Sequence, residues 1–304
     1  MKPSAFTYHA PTSLDDAVRV LAEAGPDGKV LAGGQSLIPM MNMRLAAPAV
    51  LVDINRLPGL DTVRVDTGGV RVGALVRHTD LEDDAQAART VPLLRQGLRL
   101  VAHPVIRNRG TTVGSIVHAD PSAEMPAVLA LLGGSMEVRG PSGTRSVGAA
   151  DFFTGPLETG MAEGEIAVSA YFPRPAPGSG TAFVEIARRS GDYAMCGVAA
   201  VVTLDADLRI TAARCCYISV APVPLVVDMA EAVVGAVPAS ADLSAAADLA
   251  ADRIEPEDDI HASADYRAHL ARVLTERALA EAAEAALRET AGPGPHTTGI
   301  GAMR

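Results

Sequence analysis

The chain has 304 residues, with 26 Lys and Arg against 36 Asp and Glu for a net charge of −10. A single hydrophobic core stops growing near ~250–300 residues, so this length implies two or three units, and an acidic balance with no Lys/Arg cluster excludes a nucleic-acid footprint. No apolar run approaches the ~18–20 residues of a membrane span, and the opening "MKPSAFTYHAPTS" lacks a signal-peptide core, so a cytoplasmic protein is expected.

In chain order, "TSLDDAVRVLAEAG" predicts a helix capped by Ser13, with Asp16 three residues on, Ala17, Val18 and Leu21 on one face, and Gly25 as its stop. "KVLAGG" enters a buried strand that halts at Gly33-Gly34, and "AVLVDI" (49–54) is a second buried strand. The double glycine lies at the C-terminal end of a strand, where open α/β sheets place ligands. Two readings fit it: a tight turn, or a cradle of converging N–H groups for a phosphate.

From residue 60, "TVRVDTGGVRVGAL" reads as a hairpin about 67–69, followed by two helices, "TDLEDDAQAART" and "PLLRQGLRLVA". Residues 103–121 read as irregular, "MPAVLALLG" as an apolar helix, "SMEVRGPSGTRSVGA" as another hairpin and "EGEIAVSAYFP" as a closing strand. The proline-rich "PRPAPGSG" (173–180) reads as a linker. Beyond it come long strands around an Asp205-Ala206-Asp207 turn, then Ala-rich helices over 229–287, the last capped by Ser263. The Gly/Pro/Thr-rich end from 291 reads as frayed.

Several chemistries lose their signatures. There is no G-x-G-x-x-G after a strand, no G-x-x-x-x-G-K-[ST] and no G-x-S-x-G. The seven histidines show no metal spacing, and Cys196, Cys215 and Cys216 form no C-x-x-C pair, so no iron–sulfur or zinc site is expected on this chain. Cys215 and Cys216 should point to opposite faces of a strand, one as apolar filler and one half-exposed. His118, Asp120 and Glu124 form a candidate acid/base group that one exposed loop could equally contain without catalysis. A second Gly turn, "RGTTVGS" (109–115), offers backbone N–H groups beside the Thr111 and Ser115 hydroxyls. With "AGGQS" (32–36) it could grip an extended ligand carrying a pyrophosphate.

The motifs "AGGQSLIPMMNMRL", "IRNRGTTVGSIVHADPSAEMPAVLALLGG", "FVEIARRSGDYAM" and "DDIHASADYRAHL", in that order over residues 3–287, resemble the FAD-binding medium subunit of the molybdenum hydroxylases, the xanthine and carbon monoxide dehydrogenase family. The resemblance implies an α+β fold. Residues 1–59 and 60–175 would be the two α/β subdomains of a PCMH-type, vanillyl-alcohol-oxidase-like FAD-binding domain, 180–288 a sheet-and-helix domain of the CO dehydrogenase flavoprotein C-terminal type, and 289–304 a flexible tail.

It also implies site residues. Ala32, Gly33, Gly34, Gln35 and Ser36, flanked by Leu31 and Leu37, would hold the FAD pyrophosphate through main-chain N–H groups. Thr111, Gly114 and Ser115 would form the second loop, with Asp120 nearby and Glu124 beside the ribityl chain. Val101 and Ala102, ending the preceding helix, would meet the flavin region, Val168 would be an apolar wall, and Tyr193 would cover the isoalloxazine. Val113 stands where the family pattern T-x-G-G has its first glycine, which implies a strained or shifted loop if φ > 0 is needed there. Glu185 stands close to where many relatives carry lysine, and it receives no role.

The implied function is electron transfer. No catalytic or metal-binding residue is expected on this chain. FAD would take electrons from [2Fe-2S] clusters of a small partner and pass them to an external acceptor. A large molybdopterin-binding partner would hydroxylate the substrate, in a dimer of heterotrimers. The alternative is a free-standing vanillyl-alcohol-oxidase-like flavin oxidase, disfavoured by the 3% aromatic content, the missing substrate base and the lack of His in the first Gly loop. A scaffold that has lost FAD is a third reading, supported only by Val113.

Overall fold

The computed structural model describes residues 2–238 and 241–290. The expected tail over 291–304 lies outside them. β1 (Thr7–His9) leads to α1 (Leu14–Ala24), where the Ser13 hydroxyl accepts the Asp16 N–H at 3.2 Å and Gly25, at φ 59, closes the helix. The Asp16 carboxylate turns to Arg19 instead of completing a reciprocal cap. β2 (Gly28–Leu31), α2 (Leu37–Met43) and β3 (Val50–Asp53) follow, and the three strands form a parallel sheet in the order β1-β3-β2.

β4 (Val63–Val65) and β5 (Gly69–Gly73) form the expected hairpin. The stretch 79–90, read from sequence as one helix, is two: α3 (His78–Asp83) and α4 (Ala85–Thr90). Asp84 causes the break, because its carboxylate accepts the N–H groups of Gln86 and Ala87 at 2.9 and 2.8 Å and caps a new helix in place of continuing the old one. α5 (Pro92–Leu98) comes next. Residues 103–121 are not irregular: they contain α6 (Pro104–Arg107) and α7 (Thr112–His118). α8 (Glu124–Leu132) is apolar nearly all round because it is buried between two sheets, packing on α5 and on strands of both.

β6 (Ser135–Gly140) and β7 (Gly143–Gly148) are the second hairpin. After α9 (Ala149–Phe152) and the short pair β8 (Phe153–Gly155) and β9 (Glu158–Thr159), β10 (Ile166–Pro173) inserts between the hairpins, giving the order β4-β5-β10-β6-β7. The strand expected to close this unit is therefore its centre.

β11 (Ser179–Ala187), β12 (Ala194–Leu204), β13 (Ile210–Ile218) and β14 (Leu225–Asp228) form an antiparallel meander. α10 (Ala230–Val233), α11 (Ser244–Ala251) and α12 (Ala264–Thr290) complete the described chain. α12 lies so close to β11 that a Cβ on Gly180 would sit 2.1 Å from the Ala282 carbonyl oxygen, and Tyr217 reaches it through a buried 2.7 Å hydrogen bond to Thr275. The other face of this sheet packs on α8. With both faces covered, the expected half-exposed thiol does not exist: Cys196 and Cys215 lie in the core beneath α12, Cys216 lies in the core shared with the first 175 residues, and all three are buried.

Candidate functional site

The first glycine turn begins where β2 ends and feeds α2. Gly34 takes φ 72, and the Gln35 amide folds back on the Gly33 carbonyl at 3.0 Å. Among the described residues, no hydrogen bond is donated by the backbone N–H of Gly33, Gly34, Gln35 or Ser36. Such free, successive N–H groups suit an anion. At the second turn Thr111 caps α7, its hydroxyl accepting the Gly114 N–H at 3.1 Å, and a Cβ on Gly114 would fall 2.5 Å from that hydroxyl. Ser115, half-buried, follows in the first turn of α7.

The structure brings the two turns together. A Cβ on Gly33 would stand 2.6 Å from the Arg109 carbonyl oxygen, 2.8 Å from the Gly110 Cα and 3.0 Å from the Thr111 nitrogen. Gly33 thus serves a backbone-to-backbone contact between the turns, while the positive φ belongs to Gly34. Sequence reading missed the residues that brace this contact. Asn55 donates to the Ala32 carbonyl at 2.9 Å, and Arg77 donates to the Asn55 side chain and to the Arg109 carbonyl, each at 2.7 Å. Tyr8 anchors the far end through Asp53 at 2.6 Å. The only signal in the sequence is the polar Asp53 and Asn55 at the C-terminal end of a buried strand. His78, buried against Gly110 and 3.2 Å from the Thr112 hydroxyl, has its pKa lowered to about 4 by burial and by Arg107, so it stays neutral.

Val113 corrects another expectation. It lies inside α7 without a positive φ, 2% exposed in the main core. A β-branched residue there is helix packing, and no backbone strain arises at Val113. Val101 and Ala102 do not end a helix, since α5 stops at Leu98; they form the turn after it, with Ala102 at φ 41 and both carbonyls accepting from Arg107. Val168 is buried at a bulge in β10, its carbonyl accepting the Ala74 N–H at 3.0 Å.

A second group lies beyond the other end of α7, which spans about 10 Å at 1.5 Å per residue. Asp120 accepts the Ser122 N–H at 2.8 Å. Glu124, first residue of α8 and half-buried, has its pKa raised to about 7 by burial and then by the charge of Asp120. Tyr193 is 63% exposed, yet its phenol is raised by partial burial and by Asp120 and Glu124. Glu185 joins them: burial and then Glu124 raise it to about 8. His118, the sequence's other acid/base candidate, ends α7, and among the described residues its side chain has no hydrogen bond or ion pair. A groove of about 420 Å³ beside His9, Pro11 and Arg19 lies apart from both groups, and Arg19 is already paired with Asp16 and Glu23. Among the described residues no His, Cys, Asp and Glu cluster could hold a metal, and no helix is long and apolar enough to cross a membrane.

Residues 4–175 match the family model described as the FAD binding domain in molybdopterin dehydrogenase, and residues 181–282 match the CO dehydrogenase flavoprotein C-terminal domain. The chain belongs to this family of FAD-binding medium subunits of molybdenum hydroxylases. It is 38% identical to 6-hydroxypseudooxynicotine dehydrogenase complex subunit alpha of Paenarthrobacter nicotinovorans, over 93% of this chain and 96% of that one. It is 36% identical to the carbon monoxide dehydrogenase medium chain of Hydrogenophaga pseudoflava, over 92% and 97%. Among solved structures, quinoline 2-oxidoreductase from Pseudomonas putida 86 superposes with a TM-score of 0.88 at 39% identity, over 95% of this chain and 100% of that one. The chain is thus an oxidoreductase subunit with the two-part fold of its family.

The flavoprotein's turns fit the cofactor: four unused N–H groups stand at the joint of two loops, next to the half-buried cation Arg77. Arg77→Ala removes both of its hydrogen bonds across that joint. Loss of even one such charged bond, ~1.5 kcal/mol, corresponds to about tenfold, so FAD binding should weaken by at least that much. A fluorescence titration of FAD into the apo chain checks this, and unchanged affinity would show that the brace is idle.

Proposed function

We propose that FAD lies along α7 between the two glycine turns and relays electrons from the [2Fe-2S] clusters of a small partner to an external acceptor. The observation that carries this reading is the backbone contact at Gly33, which joins the two turns and leaves four N–H groups free beside it. Residues 1–59 and 60–175 act as the two halves of the cradle. Main-chain N–H groups over 32–36, between Leu31 and Leu37, hold the pyrophosphate, and Thr111, Gly114 and Ser115 grip it from the other side. Asp120 and Glu124 lie toward the ribityl chain, Val101, Ala102 and Val168 toward the ring, and Tyr193 covers a ring face and restricts solvent. FAD supplies the redox chemistry, and the residues bind, orient and shield it.

Substrate hydroxylation belongs to a large molybdopterin-binding partner, in a cytoplasmic dimer of heterotrimers. Three relatives of similar identity carry names that specify different substrates, 6-hydroxypseudooxynicotine, carbon monoxide and quinoline, which supports substrate choice lying outside this subunit. The isolated chain loaded with FAD should show a flavin spectrum, yet aldehydes, purines and N-heterocycles should leave the flavin oxidised until both partners are added. Stopped-flow reduction with and without the partners is the test. A substrate that reduced the flavin of the isolated chain at a catalytic rate would replace this reading with a free-standing oxidase.

A further inference from the structure

Glu185 is an anomaly of the C-terminal sheet. Strand alternation places it on the face of β11 shared with Phe183, turned toward the first 175 residues, while Val184 and Ile186 face the α12 side. Opposite it in the ladder is Gly197, whose missing side chain lets Glu185 and Ile218 close over the gap: a Cβ there would lie 3.3 Å from the Glu185 Cβ and 2.8 Å from Ile218. The Glu185 Oε2 atom is buried with no hydrogen-bond partner. On the other side of the seam α8 packs on β12, the strand beside β11, and its first residue, Glu124, is near enough for its charge to raise Glu185 further.

Among the described residues neither carboxyl is ion-paired or hydrogen-bonded to a cation. The titratable groups nearest the pair are the acids Asp120 before α8, Tyr193 beside β12 and Cys216 on the same sheet face, with the imidazoles of His118 at the end of α7 and His103 packed on Gly191 beyond them. Arg188 is paired with Asp192 in its own loop, and Arg267, on α12, is held by the Met195 and Ser219 carbonyls and by Asp259. A buried carboxylate with neither partner nor counter-charge is more stable protonated. Glu124, half-buried and accepting only its own backbone N–H, and Glu185 lie within reach of each other's charge, so they titrate as a unit, ionising one raising the proton affinity of the other.

We propose that Glu124 and Glu185 form a proton-holding pair across the seam between the two domains, and that it takes up a proton when the bound flavin is reduced. This rests on the FAD placement given above. The balance is simple. Two electrons enter the flavin, one proton from solvent binds the flavin, and the net negative charge left behind draws a second solvent proton onto the pair. With carboxyls raised to about 7 and about 8, the pair has an ionised member to receive that proton from pH 7 upward.

The test is a spectroelectrochemical titration of the full FAD-loaded chain from pH 7 to 9, with a proton count by indicator dye during reductive titration. Each proton coupled to a two-electron couple contributes about 30 mV per pH unit. The wild type should therefore approach two protons per flavin, and Glu185→Gln, which is neutral and nearly the same size, should fall to one, shallower by about 30 mV per pH unit. Glu185→Asp should retain the steeper slope, and the exposed Glu231→Gln should leave it unchanged. Equal slopes for the wild type and Glu185→Gln, with flavin retained by both, would overturn the proposal while leaving FAD binding intact. Loss of flavin from Glu185→Gln would also overturn it, making Glu185 part of the binding framework. A wild-type chain that held no FAD would instead defeat the underlying placement.

Discussion

Gly33→Val should leave the chain folded and without flavin. The added Cβ would press on the backbone of residues 109–111 at 2.6 to 3.0 Å, where no side chain can swing aside, so the two turns must part. Loss of the joint should weaken FAD by at least ~100-fold, or about 2.8 kcal/mol. Gly34→Ala is the useful contrast. Its Cβ would meet only the tips of Ile38 and Leu31 at 3.1 Å, so the main penalty is the positive φ, roughly 1 kcal/mol. The ratio of flavin to protein absorbance after gel filtration, with circular dichroism to establish folding, ranks the two variants. A folded Gly33→Val chain carrying a full complement of flavin would mean that contact between the turns is irrelevant to binding.

Val113→Gly should be the most damaging of the conservative-looking changes. From sequence it restores a family glycine and should relieve strain; in the structure it empties a core position inside α7. A lost isopropyl group with its cavity, plus a helical glycine, should cost about 3 kcal/mol. Because α7 carries the Thr111 cap at one end and leads to Asp120 at the other, FAD binding should weaken as well. Thermal melts of the apo and FAD-loaded variant decide it. An unchanged melting temperature with tighter FAD would restore the strained-loop reading.

What was legible in the sequence was local. The Ser13 cap, the Gly25 stop, both hairpins and the position of the double glycine at a strand end follow from residues within one turn or one ladder of each other, and they stand as read. The errors arise where distant chain decides. Residues 103–121 are rich in turn formers, yet Thr111 uses that composition to start a helix. Gly33 looked like space for a ligand, because nothing near it in sequence reveals that residues 109–111 occupy that side. Arg77 and Asn55 carry no motif, since their significance is a bridge between segments 22 residues apart. Glu185 was seen as a departure from its relatives, but a buried unpartnered oxygen is a property of packing that no pattern of letters encodes.

The placement of the cysteines has a consequence for watching this molecule breathe. Burial pushes the Cys196 and Cys215 thiols up to about 12 and Cys216 higher still, so in the closed fold none is a nucleophile for an alkylating reagent. Modification must await local opening, and its rate measures the free energy of that opening. Adjacent in sequence but on opposite faces of one strand, Cys215 records the loosening of α12 and Cys216 the parting of the sheet from the half of the chain that grips the cofactor. Neighbouring residues thus act as two independent clocks, one for each side of a sheet a single residue thick.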